Sequence, residues 1–86
     1  MTARKHDPLF PGFKEMAARR ERMVEDLVGL RLELGLSQTG VAARMGTSQS
    51  AVARLESGEA DVRLSTLERY AAALGRVLDV RLEGPR

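Results

Sequence analysis

The stretch from Ser37 to Gly58 limits this chain more than any other part, because its breakers and apolar spacing fit two short helices. Ser37 stands where a first helix would begin, and Thr47 or Ser48 where a second would. Their hydroxyls can accept bonds from backbone N–H groups that a first helical turn leaves unpaired. Val41 and Met45 fall four apart, and Val52 and Leu55 three apart, so each segment carries an apolar stripe. Gly46 occupies the place of a left-handed helix terminator, where a side chain is costly. Ala42 is small enough for the second helix to cross closely over the first.

Helix, glycine turn and crossing helix form the helix-turn-helix layout, whose second helix lies in the DNA major groove. Eighty-six residues give one small domain with one core. A hydrophobic fraction of 43% and a charged fraction of 30% are ordinary for a globular chain. There is no apolar run of bilayer-spanning length, no signal-peptide pattern and no cysteine, so the expectation is a cytoplasmic protein without disulfides, metal or cofactor. The net charge of +2 does not by itself point to nucleic acid, so the placement of charges must decide. Two phenylalanines and one tyrosine are too few for a platform that stacks single-stranded bases.

Residues 1–13 read as a flexible N-terminal arm, with two prolines and a glycine in the first twelve. Two readings of it stand: a frayed terminus, or an anchor for a protein partner through the apolar cluster Leu9, Phe10 and Phe13. A DNA-binding domain is expected over 14–75 and a dimerisation strand and tail over 76–86. From Lys14 to Leu34 the pattern is helical, with Phe13, Met16, Met23, Leu27, Leu30 and Leu34 recurring at sums of threes and fours. One helix fits, and so do two broken between Arg19 and Glu25. The cluster Arg19-Arg20-Glu21-Arg22 reads as a solvated face or, alternatively, as a phosphate-contacting patch.

After the central motif, Ser65 is expected to cap another helix, with Glu68 completing a capping box. Leu67, Tyr70, Ala71 and Leu74 form its inward stripe, and Gly75 ends it. From Arg76 to Glu83 the period changes to two, as in a half-buried strand. A lone strand needs a partner for its backbone groups, and the simplest is its own copy across a two-fold axis. Antiparallel pairing centred on Val80 sets Leu78 against Leu82 and Asp79 against Arg81. Centring on Asp79 or Arg81 would oppose like charges, which disfavours pairing.

The segment Leu-Arg-Leu-Glu-Leu-Gly-Leu-Ser-Gln at Leu30–Gln38, followed by Val41–Gly58, resembles the Xre family, the phage Cro and repressor type of helix-turn-helix domain. The resemblance covers roughly Leu27 to Leu74. With the short C-terminal strand, the chain looks most like the small HigA-type antitoxins. The implied fold is all-α: a lambda-repressor-like bundle of four to five helices, with the short C-terminal β-strand pairing across a homodimer. By the same resemblance, Gln38 matches a position that contacts phosphate and buttresses the reading residue beside it. Ser48, Gln49, Ser50 and Arg54 match exposed positions of the recognition helix, and Arg31 and Glu56 match a partly buried ion pair. Gly40 and Ser57 depart from the common pattern, which has a helix former and asparagine there; Ser57 keeps a hydroxyl that can reach phosphate.

The residue types support the same roles. Gln49 can bond adenine bidentately and Arg54 can bond guanine, each pair giving roughly 1–3 kcal/mol of base discrimination. Arg54 lies five residues beyond Gln49, about 140° further around the helix, so a flanking phosphate is equally open to it. Ser48 and Ser50 can touch phosphates or bases. Arg44 and Arg63 flank the reading helix as phosphate contacts or as plain surface charges.

An enzyme is not expected. His6 is the sole histidine, and neither a phosphate-cradling glycine loop nor a paired-carboxylate pocket is in view. The expected function is a sequence-specific repressor of double-stranded DNA, a homodimer on an inverted-repeat operator. It would be the antitoxin of a type II pair with a RelE- or HigB-like ribonuclease toxin. A free-standing Xre-type regulator and a protein-interaction module without DNA binding are the alternatives. No membrane partner is expected.

Overall fold

A computed structural model of the chain describes residues 13–58 and 61–82. Four helices follow one another: α1 (Phe13–Glu33), α2 (Gln38–Met45), α3 (Gln49–Ser57) and α4 (Leu64–Ala73). The segment whose continuity the sequence left open is one helix of 21 residues, roughly 30 Å long. Its buried positions are Val24, Leu27 and Arg31, while Met16 and Leu34 are exposed. The expected stripe missed Val24 and included two residues that stay in water. For Met16 the reason is length: α2 to α4 have 8 to 10 residues each, and the core they close with α1 begins at Val24; Leu34 lies just past the last residue of α1.

The central motif forms as its breakers dictate. Ser37 Oγ accepts from the Gly40 N–H at 2.9 Å, and Ser48 Oγ, rather than Thr47, accepts from the Ala51 N–H at 3.1 Å. Gly46 sits at φ 72° and lets the chain fold back, so that the Thr47 N–H reaches the Ala42 carbonyl at 2.9 Å. The crossing of α2 and α3 is closed by Val41, Ala42, Val52 and Leu55, all buried, with Leu67, Tyr70, Ala71 and Leu74 packed beneath them from α4 and its end.

Two expectations need correction. The last helix starts before Ser65: Arg63 is its N-cap, without a side-chain cap bond, and the Arg63 carbonyl accepts from the Thr66 and Leu67 N–H groups. Ser65 therefore lies inside the first turn, so its expected capping box with Glu68 has no helix start to cap. The expected C-terminal strand is also absent, since the described residues contain four helices and no strand. Leu78, Asp79, Val80, Arg81 and Leu82 belong to an irregular run after Gly75, with Leu78 half-buried against the core. A strand exists only as part of a hydrogen-bonded ladder, and no other described segment offers one. Leu9 and Phe10 lie outside the described residues, and Phe13 is the first residue of α1. Among the described residues, no helix is long and apolar enough to cross a membrane.

Candidate nucleic-acid interface

Burying Val52 and Leu55 turns the opposite side of α3 outward, so Gln49, Ser50, Ala51 and Arg54 are exposed on it. Ser48 caps this helix and its Oγ lies 3.2 Å from the Ser50 Oγ. At the other end the Ser57 hydroxyl donates to the Arg54 carbonyl at 2.8 Å, inside its own helix. Arg63 is exposed at the start of α4. Arg44 is more committed than the sequence suggested: its Nη1 donates to the Ala73 carbonyl at 2.9 Å, at the end of α4.

Behind this face runs a chain of polar side chains drawn from all four helices. Gln49 Nε2 donates to Gln38 Oε1 at 2.6 Å, and Gln38 Nε2 donates to Glu56 Oε1 at 2.9 Å. Arg31 grips the same carboxylate with two N–H groups, Nε to Oε2 at 2.8 Å and Nη2 to Oε1 at 3.0 Å. The Tyr70 hydroxyl donates to Oε2 at 2.6 Å. Glu56 thus accepts four bonds, about the full capacity of a carboxylate. Arg31 Nη1 also donates to the Leu36 carbonyl at 2.8 Å, which ties the turn after α1 into the same cluster. No buried side-chain nitrogen or oxygen among the described residues lacks a partner.

Charge follows this geometry. Burial pushes the Glu56 carboxyl up, but bonds from Arg31, Tyr70 and Gln38 outweigh it and hold the group below its ordinary value. Hydrogen bonding to Glu56 raises Arg31 further, against the opposing effect of burial. Burial and then the adjacent carboxylate push the Tyr70 phenol well above its usual range. All three stay in one protonation state around neutral pH: an anion, a cation and a neutral hydroxyl donor.

Of the residues singled out by sequence, Gln38, Gln49, Arg31 and Glu56 are brought into one bonded cluster. Ser48, Ser50 and Arg54 lie along α3, while Arg44 is turned to the end of α4. Tyr70 was assigned to the apolar stripe alone. The signal was available, because a lone tyrosine at a core position brings a hydroxyl that must find a partner. Among the described residues, no group of acidic or histidine side chains could hold a metal ion.

The helix-turn-helix family profile matches residues 29–80. Antitoxin HigA1 of Mycobacterium tuberculosis is 46% identical over 79 residues, covering 92% of this chain and 53% of that protein. The putative antitoxin HigA3 of the same species is 42% identical, covering 78% of this chain and 68% of its own length. An uncharacterized HTH-type transcriptional regulator of Haemophilus influenzae is 33% identical over 71% of this chain and 62% of its own length. The chain spans about half the length of the HigA1 relatives it matches. No solved structure matches it.

Proposed function

The chain belongs to the helix-turn-helix family, and on that premise we propose that it is a sequence-specific repressor of double-stranded DNA and the antitoxin of a type II toxin–antitoxin pair. The observation that carries the DNA reading is Gln49, exposed in the first turn of α3 and bonded from behind by Gln38. A glutamine so held offers its remaining amide groups to a base edge in the major groove. Gln38, Ser48, Ser50, Arg54 and Ser57 supply further base or phosphate contacts, with Arg44 and Arg63 at the flanks.

The proposed working unit is a homodimer on an inverted repeat, its half-sites about one helical turn or a multiple apart. Pairing would run through residues 76–83 in the register centred on Val80. Its support is apolar exposure: Val77 is 92% accessible, and Val80 and Leu82 are also exposed. Asp79 and Arg81 already meet at 3.1 Å within one chain, so the pair can exchange partners across the axis without a new charge type.

The antitoxin reading is supported by relatives that carry that name. The proposed partner is a compact, basic RelE- or HigB-like ribonuclease, met by the arm around Leu9, Phe10 and Phe13. A relative named only as a transcriptional regulator leaves room for a second reading, a free-standing regulator. A short adjacent reading frame whose ribonuclease product is neutralised by this chain supports the first reading; its absence turns the choice to the second. Selection of duplexes from a randomised pool tests DNA binding itself. Retention of a palindromic site, with affinity falling steeply as salt rises, is the expected result. A flat salt response would leave a protein-interaction module.

A further inference from the structure

We propose that residues 1–12 fold back along α1 of their own chain and close the groove between that helix and the run 78–81. In this arrangement Leu9 and Phe10 cover Met16, Asp7 meets Arg22, and Lys5 meets Asp26. The proposal concerns the free chain and stands apart from the DNA and toxin readings. The groove has a volume of about 610 Å³, with Met23, Leu27 and Leu30 on one wall and Leu78 and Val80 on the other. At about 100° per residue, Met16, Arg22, Met23, Asp26 and Leu27 fall within an arc of roughly 140°, so Met16 continues the α1 wall toward the start of the helix. Met16 is 48% exposed. Arg22 and Asp26 are exposed, line the groove and stand four residues apart, yet among the described residues neither makes an ion pair.

The arm fits this wall in order, reach and composition. Read backward from Phe13, it presents Phe10 and Leu9, then Asp7, then Lys5; α1 read forward presents Met16, then Arg22, then Asp26. Apolar faces apolar, and each charge faces its opposite. Along the helix from Phe13, Met16, Arg22 and Asp26 lie at about 5, 14 and 20 Å. Once Pro11 and Gly12 reverse the chain, an extended arm at about 3.3 Å per residue carries Leu9, Asp7 and Lys5 back by roughly 7, 13 and 20 Å. Residues 83–86 hold one acid and no large apolar side chain, so they offer no such match. One exposed ion pair adds little on its own. The covalent tether raises the arm's effective concentration enough for weak contacts to act together. A protein partner that takes Leu9 and Phe10 must draw them from α1, and in doing so it opens the groove.

The chain has no cysteine, so Ala3→Cys puts a single nitroxide label on the full chain. The register places that label beside Leu30. The methyl signals of Leu30 and Val80 are expected to be lost from the NMR spectrum while Met16 keeps more of its intensity. An undocked arm gives the opposite order, because a label tethered ahead of Phe13 stays nearest Met16, and that order overturns the proposal. Asp7→Arg and Arg22→Glu are each expected to restore the Leu30 signal, and the two together to lose it again. A double variant that behaves like the single ones overturns the register. Arg22 is exposed, so its replacement leaves the core untouched. Mixing spin-labelled chain with isotope-enriched chain lacking the label tests the remaining occupant. Loss of Leu30 signal in that mixture assigns the groove to the arm of a second copy and overturns the fold-back.

Discussion

The Tyr70 hydroxyl donates to Glu56 Oε2 at 2.6 Å, joining the most buried side chain of α4 to the only acid of α3. A hydrogen bond to a charged acceptor in a buried setting contributes more than one between neutral groups. Tyr70→Phe keeps the ring and removes the bond, so it is expected to cost about 1–3 kcal/mol in urea unfolding.

Arg31 is only 8% exposed, which makes its charge dependent on Glu56. Glu56→Ala is expected to destabilise the chain by about 3–5 kcal/mol, because it leaves a buried guanidinium unpaired. Replacing both residues together with apolar ones of similar volume should recover most of that loss. A double variant no more stable than Glu56→Ala would contradict the assignment.

Acid should weaken the fold through the same carboxylate. Its folded-state pKa is held below the ordinary value, so on acidification the unfolded chain takes up the proton first. The stability it contributes is complete above the unfolded value of about 4.3 and is lost as pH falls through the folded-state value. Urea midpoints taken across that window should fall more in wild type than in Glu56→Gln.

Gly46 has φ 72°, and nothing lies within 4 Å of where a Cβ would stand. Gly46→Ala therefore tests conformation without a clash. The expected cost is about 1–2 kcal/mol, read as a lower urea midpoint at an unchanged slope.

For the proposed dimer, Asp79→Arg and Arg81→Asp should each weaken self-association, and the two together should restore it. Sedimentation at matched concentrations reads this directly. Equal behaviour of all three variants would exclude the register centred on Val80.

How far the fold could be read from sequence depended on whether the deciding contact was local. Ser37, Gly46 and Ser48 act on backbone groups within five residues, so their roles followed from residue type and spacing. The burial of Val24 depends on where three later helices end, and no periodicity within α1 contains that. The run after Gly75 has the alternation of a strand, but a ladder needs a second segment. Alternation expresses a preference that one chain cannot satisfy. At the candidate site, Gln38, Gln49, Arg31 and Glu56 were legible through resemblance, whereas Tyr70 was hidden by its apolar neighbours. The bond that Arg44 makes was out of reach of the sequence, since its partner is a carbonyl 29 positions away.

That bond from Arg44 to the Ala73 carbonyl has a mechanical meaning. It clamps the last residue of α2's exposed flank to the end of α4, the point from which the chain departs into residues 76–82. Between the first turn of α3 and that point of departure, the described residues share a packed core and a bonded polar cluster. Gly75, at φ 76°, is where the chain turns away from α4 into the run beyond it. In the proposed dimer joined by that run, the separation of the two α3 helices would be set by the path the chain takes after Gly75, as the opening of a caliper is set at its pivot. A one-base-pair change in half-site spacing would then be felt as strain at Gly75 rather than absorbed inside the domain.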